Sequence, residues 1–349
     1  MSAIEAASGG LQTAAIERAA ITFRWDLDKT YLRTQFESLR QMVKIPFEAG
    51  SDKVHLPGVP QLIHALRRCA VARAQRPFVF FLSASPPQIG SAIREKLDLD
   101  GIEYDGIIFK DQLRNLVRGR WRSLREHLGY KLGELLESRR IGPAASREVL
   151  FGDDWESDPI IYSLYADIVA GRMALSEVDD ILQAIGVDPQ LIVEAKQLAT
   201  KMVPAAAVSR IFINLERRTP PSNFQRFGPR LVPTFNYLQT AACLFQDGHL
   251  TLPAVAAVAQ ALIGQSGYTP ERLANSLADI ERRGHLQPVN AIAVREYLAA
   301  LGALPQRARP RQRQSPWLRV RRLFTATPQP PPAADALINY QALVAEWRR

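Results

Sequence analysis

Two carboxylates one residue apart, Asp26 and Asp28, close the apolar run Ile21 to Trp25 and are followed by Lys29 and Thr30. In an extended chain alternate residues share a face, so both side chains can lean toward one substrate if the backbone turns after them. One carboxylate can then attack phosphorus while the other moves a proton. The pattern D-x-D-x-T alone is a common polar strand end, but three later segments add to it. Pro77 to Leu82 is an apolar, aromatic-rich run that delivers Ser83-Ala84-Ser85-Pro86 to a turn. Lys131 follows in Gly129-Tyr130-Lys131. Glu148 to Phe151 is a third buried run, and it ends in Gly152-Asp153-Asp154-Trp155-Glu156-Ser157-Asp158-Pro159. Each polar group follows an apolar run or opens a helix.

The elements that must position these groups alternate. Strand candidates are Ile21 to Trp25, Phe78 to Ser83, Gly106 to Phe109, Glu148 to Phe151 and Arg210 to Leu215, with helical patterns between most of them. Such alternation predicts an α/β fold: a mainly parallel sheet with helices on both faces. Ligands of open sheets of this type bind outside the carboxyl ends of the strands, and all four polar motifs are placed near such ends. The stretch from Thr30 to Pro57 is helical in period but too short for a cap domain. Between Ser83 and Lys131, helices near Gln88 to Leu97 and Leu113 to Leu128 and one strand use up the chain. A site without a cap stays open to a phosphate carried by something bulky.

Taken in order, aspartates, hydroxyl, lysine and aspartates resemble the four motifs of the haloacid dehalogenase superfamily of phosphohydrolases. More narrowly, the chain resembles the catalytic domain of the actin-patch phosphatidate phosphatases. The likeness rests on Leu56-Pro57-Gly58-Val59, Leu82-Ser83-Ala84-Ser85-Pro86, Phe109-Lys110-Asp111, Tyr130-Lys131, and Gly152-Asp153 with Asp158-Pro159-Ile160-Ile161-Tyr162. It spans roughly residues 20 to 250 by motif order. The family has an acid where Lys29 stands, a histidine where Tyr130 stands, and Gly-Asp-Ser-Gly where this chain reads Gly152-Asp153-Asp154-Trp155. None of these departures removes a group the chemistry requires.

The resemblance implies a Rossmann-like, three-layer αβα fold without a large cap. It implies a magnesium-dependent phosphatase that hydrolyses a phosphate monoester through an aspartyl phosphate. Asp26 would be the nucleophile and Asp28 the general acid and then base. Thr30 would anchor the turn beside the phosphate, and Ser83 and Lys131 would hold the phosphoryl oxygens. Mg2+ would be held by Asp26, Asp28 and Asp153, with Asp158 as an outer or fourth ligand; magnesium needs few protein ligands because it keeps several waters. The implied substrate is phosphatidate or another lipid phosphate. Nucleic-acid ends, a phosphoprotein or a small metabolite remain alternative substrates, and a catalytically idle protein that binds anionic surfaces is the alternative from another class. A structural account of the last acidic segment also stands: Ser157 would cap the helix that Pro159 begins.

The 349 residues, 47% of them apolar, suffice for a large core. Cys69 and Cys243 fit no metal or redox spacing, and the five histidines form no paired-ligand motif. No secretory signal or membrane-spanning run is expected, and the reading is cytoplasmic, peripheral to a membrane if it meets one. The net charge is +9, and seven arginines in residues 304 to 324 leave only +2 for the remainder. Those residues are Arg307, Arg309, Arg311, Arg313, Arg319, Arg321 and Arg322; with Trp317, Leu323 and Phe324 they suit an anionic membrane surface. Nucleic acid is the rival partner, and a solvated basic segment without a fixed partner is the plainer reading.

The expected organisation is a flexible arm over 1–19 and a phosphatase domain over 20–250 with a helical insertion at about 172–208. A helical extension over 251–303, an Arg/Pro-rich linker over 304–333 and a C-terminal helix over 334–349 complete it.

Overall fold

Among the described residues six strands form one sheet: β1 (Ile21–Asp26), β2 (Phe78–Ser83), β3 (Gly106–Phe109), β4 (Arg147–Asp153), β5 (Val208–Asn214) and β6 (Leu231–Thr234). Their order is β3-β2-β1-β4-β5-β6, and every neighbouring pair is parallel. The computed structural model describes residues 20–27, 30–32, 55–68, 76–83, 90–109, 124–143, 146–155, 157–306 and 338–347. Asp28, Lys29, Lys110, Cys69, the N-terminal arm, most of the stretch between Thr30 and Pro57, and the arginine segment with Trp317 lie outside the described residues.

Helices cover both faces. On one face lie α1 (Val59–Arg68), α2 (Gly90–Leu99), α7 (Tyr237–Gln246), α8 (Leu252–Ser266), α9 (Pro270–Arg282) and α10 (Pro288–Ala300). The other carries α3 (Leu124–Ile141), α4 (Asp158–Val169), α5 (Leu175–Ile185), α6 (Pro189–Thr200) and α11 (Tyr340–Trp347). This is the three-layer α/β architecture that the alternation predicts, with the sheet buried between two apolar clusters.

The strand period assigns each residue of β1 to one of those clusters. Phe23 and Trp25 enter the first, while Thr22, Arg24 and Asp26 share the opposite face. Trp25 stacks on Phe151 of β4 at 3.7 Å with 3° between the rings, and Phe151 stacks on Phe212 of β5 at 5.5 Å. These residues are also partners in register. The row therefore locks three strands together just below their carboxyl ends, each pair adding about 0.5–1.5 kcal/mol beyond burial.

Close packing ties α5 and α6 to the body. A Cβ at Gly129 would lie 2.3 Å from Val187 Cγ1, so α3 approaches the α5–α6 turn closer than any side chain allows. Asp188 caps α6 by accepting from Gln190 N at 2.8 Å, and Gly186 closes α5 at φ 86°, where glycine carries no Cβ penalty. The helical group α8–α10 shares its core with the sheet: Val255, Leu273 and Val294 belong to the same cluster as Trp25.

Some expectations are corrected. The short strand β6 was not anticipated, because four residues containing Pro233 give little period to read. The helix expected over Leu113 to Leu128 lies mostly outside the described residues; within them α3 runs Leu124–Ile141, so Lys131 lies inside a helix and not at an element's opening. The C-terminal helix starts at Tyr340; it docks through Tyr340, Leu343 and Val344, with the Tyr340 hydroxyl donating to Asp167 Oδ2 at 2.6 Å. Among the described residues no helix is long and apolar enough to cross a membrane.

Burial also sets an acid limit. His285 has its imidazole lowered from 6.5 to about 4 by burial and then by the Arg283 and Arg210 charges. The unfolded chain therefore takes up a proton before the folded one, and stability falls as pH drops from 6.5 toward about 4. Urea titrations across that window should show the decline, and His285→Gln should flatten it.

Candidate active site

The chain leaves β1 toward β2 on one side and returns through β3 and α3 to β4 on the other. Between β1 and β4 the strand order thus reverses, which opens a crevice at their carboxyl ends. Asp26 is the last residue of β1 and Asp153 the last of β4. Both are buried, at 1% and 0% exposure, as are Asp158 at 0% and Lys131 at 7%.

Lys131 joins the acids. Its Nζ donates to Asp26 Oδ1 at 2.7 Å and to Asp158 Oδ1 at 2.5 Å, and it lies 5.4 Å from the centre of the Tyr162 ring. Asp158 Oδ2 accepts from Asp153 N at 3.3 Å. One carboxylate therefore fixes both the lysine and the backbone at the end of β4. Gly152 makes this possible, because a Cβ there would fall 2.2 Å from Asp158 Oδ2 and 2.8 Å from Tyr162 Cε2.

The turn after β1 is held from several sides. Leu27 N donates to Leu82 O at 2.8 Å and Leu32 N to Leu27 O at 2.9 Å. Thr30 Oγ1 donates to Asp26 Oδ2 at 3.5 Å, and Thr30 O accepts from the Tyr237 hydroxyl at 2.5 Å. Ser83 ends β2, directly after Leu82, the register partner of Asp26. The folded chain thus brings Asp26, Thr30, Lys131, Asp153 and Asp158 together from β1, α3, β4 and α4, with Ser83 at the neighbouring strand end.

The acidic segment after β4 behaves differently from the capping account. Ser157 occupies the N-cap of α4, yet its side chain makes no capping bond and its buried Oγ has no hydrogen-bond partner among the described residues. The nearby carboxylates serve the backbone instead. Asp153 Oδ1 accepts from Trp155 N at 2.6 Å, while Asp154 accepts from Arg217 N at 2.9 Å and Thr219 N at 3.1 Å.

Sequence reasoning missed the support beneath the site. Glu148 of β4 accepts from Arg24 of β1 at 3.2 Å, Arg139 of α3 at 2.7 Å and Tyr165 of α4 at 2.7 Å. Arg24 also donates to Ser138 at 2.6 Å. Burial pushes the Glu148 carboxyl up, but the two guanidinium charges outweigh it and hold it below its ordinary range. A charged residue inside an otherwise apolar strand, two before Asp26, was the available signal. Tyr162 and Tyr237 were likewise missed; burial, and then neighbouring carboxylates, raise both phenols well above 10, so they stay neutral donors.

The donor chemistry suits a hard cation. Asp26 and Asp153 place carboxylates at adjacent strand ends, and magnesium is satisfied by one or two such groups. Among the described residues no three His, Cys, Asp or Glu side chains are spaced to enclose an ion, and Asp28 lies outside them.

Among the described residues, a six-stranded parallel sheet with a lysine-bridged acidic cluster at its switch point defines a Rossmann-like α/β protein. Residues 25–180 match the family described as phosphatidate phosphatase APP1, catalytic domain. That span runs from the end of β1 into α5 and contains every residue of the cluster. The description is of a phosphatase, a phosphoric monoester hydrolase, and the haloacid dehalogenase placement expected from the motif order is consistent with it. No curated protein and no solved structure matched the chain.

Proposed function

We propose that this protein is a magnesium-dependent phosphatase of lipid phosphate monoesters, phosphatidate first among them, working through an aspartyl phosphate on Asp26. The observation that carries the reading is the placement of Asp26 at the switch-point end of β1, bonded to a buried lysine at 2.7 Å within the span that matches a phosphatidate phosphatase family.

In this reading Asp26 attacks phosphorus in line and the ester oxygen leaves as an alcohol. Water then attacks the aspartyl phosphate and frees inorganic phosphate. Asp28 donates a proton to the leaving oxygen and later takes one from the water. Lys131 exchanges its bond to Asp26 for one to a phosphoryl oxygen while keeping Asp158, which frees the nucleophile as phosphate enters. Ser83 donates to another oxygen, and Thr30 keeps the turn in shape. Asp26, Asp28 and Asp153 would hold Mg2+, which when bound offsets repulsion between carboxylate and phosphate. Asp158, already engaged by Lys131 and Asp153 N, takes the outer role and orients both.

The test is phosphate release from phosphatidate in mixed micelles before and after chelation. Activity that vanishes with chelator and returns with added magnesium is the expected result. An undiminished rate without divalent ions would remove magnesium from the reading, and release from phosphorylated oligonucleotides in preference to phosphatidate would replace the substrate.

A further inference from the structure

We infer that the carboxyl edge of β4, β5 and β6 is a surface that seats the protein on an anionic bilayer, built from Trp155, Arg217, Arg218 and Phe235. It rests on the lipid-phosphate reading of the adjoining site. The four residues follow three consecutive strands: Trp155 comes after β4, Arg217 and Arg218 after β5, and Phe235 after β6. Trp155 and Phe235 are large apolar side chains left 40% and 39% exposed. Each lies under a guanidinium, Arg217 at 5.0 Å from the Trp155 ring and Arg283 at 5.7 Å from the Phe235 ring. The edge therefore presents aromatic bodies and cations side by side, the combination that an interface of acyl chain and anionic headgroup accepts. Glu216 is exposed here as well, and it is engaged by Asn214 Nδ2 at 2.8 Å.

The edge is held in place at a conformational cost. Among the described residues Arg218 alone of the non-glycine residues has a positive φ, 58°, in the left-handed region that disfavours a side chain. Asp154 imposes it by accepting from the backbone on either side, at Arg217 and Thr219. Asp153, at the site itself, accepts from Trp155 N. Two adjacent aspartates thus fix the edge to the end of β4, beside the position proposed for the phosphate. Glycine would relieve the strain at 218, and arginine there points to a use for the side chain. A bilayer is the occupant because the adjoining site is read as taking a lipid phosphate and the four residues stand at the strand ends beside it.

Vesicle co-sedimentation at low ionic strength reads the surface without turnover. The full chain is used with Arg307, Arg309, Arg311, Arg313, Arg319, Arg321 and Arg322 changed to glutamine, so that the basic segment does not mask the edge. Phosphatidylserine-containing vesicles are expected to bind this protein, and neutral phosphatidylcholine vesicles are not. Adding Trp155→Ala with Arg218→Gly should weaken binding roughly tenfold or more. Arg218→Gly alone should weaken binding and at the same time raise the melting temperature, which a merely structural arginine would not do. Equal affinity with and without the two changes, no sedimentation at all by the seven-glutamine protein, or a loss confined to single-stranded oligonucleotide binding would each overturn the inference. Chelation of magnesium and Asp26→Asn judge the phosphatase reading separately, since neither bears on sedimentation.

Discussion

Asp26→Asn is expected to lower phosphate release from phosphatidate by about 10^4-fold or more, the scale on which removing a covalent nucleophile acts. The amide is nearly isosteric but cannot attack phosphorus. It also sets a neutral group 2.7 Å from Lys131 Nζ, where the wild type has a charge-assisted bond. The fold should persist, because Lys131 keeps its second partner, Asp158 Oδ1, at 2.5 Å. Circular dichroism and a cooperative thermal transition check this, so that lost activity reads as lost chemistry. Release of phosphate by the variant at the wild-type rate would rule Asp26 out as the nucleophile, and with it the aspartyl phosphate. Trapping of labelled phosphate on the wild type, and not on the variant, is the matching positive result.

Glu148→Gln is expected to destabilise the protein by about 3–5 kcal/mol, although residue 148 is remote from any phosphate. The substitution leaves Arg24 and Arg139, with side chains only 1% and 5% exposed, facing an amide that cannot offset two charges. The effect should be seen as a lower denaturant midpoint. Replacing the group together, with Arg24→Met, Arg139→Leu and Glu148→Leu, should recover much of the loss, because removing a buried charge with its partners costs far less than orphaning one. Unchanged stability of the single variant would show that the ionic bonds carry little. The pH dependence has a definite sign: Glu148 is held below its ordinary range, so its contribution is complete above about 4.3 and is lost as pH falls further.

This carboxylate matters for more than stability. Its partners lie on β1, α3 and α4 and it stands on β4, the same four elements that supply Asp26, Lys131, Asp158 and Asp153. A single buried acid therefore sets the mutual height of the elements on which the proposed chemistry depends. Glycines 129 and 152 complete that arrangement by removing side chains where α3 meets the α5–α6 turn and where Asp158 passes under β4.

The sequence by itself determined the parallel α/β architecture, since apolar runs of strand length alternated with helical periods. Five of the six strands among the described residues were legible in this way. It also set the order of aspartates, hydroxyl, lysine and aspartates, which pointed to a phosphatase family before any contact was known. These are local or linear properties, readable wherever period and spacing survive in one dimension. Tertiary structure alone decided that Lys131 bridges Asp26 and Asp158, that Asp154 is spent on the backbone after β5, and that Ser157 caps nothing with its side chain. It alone joined Arg24, Arg139, Glu148 and Tyr165, and set Trp155 and Phe235 along one edge. Those pairings link residues as much as 124 positions apart, as Arg24 and Glu148 are. Nothing in the local sequence around either partner specifies the other; the sheet order and the approach of helices to its two faces do.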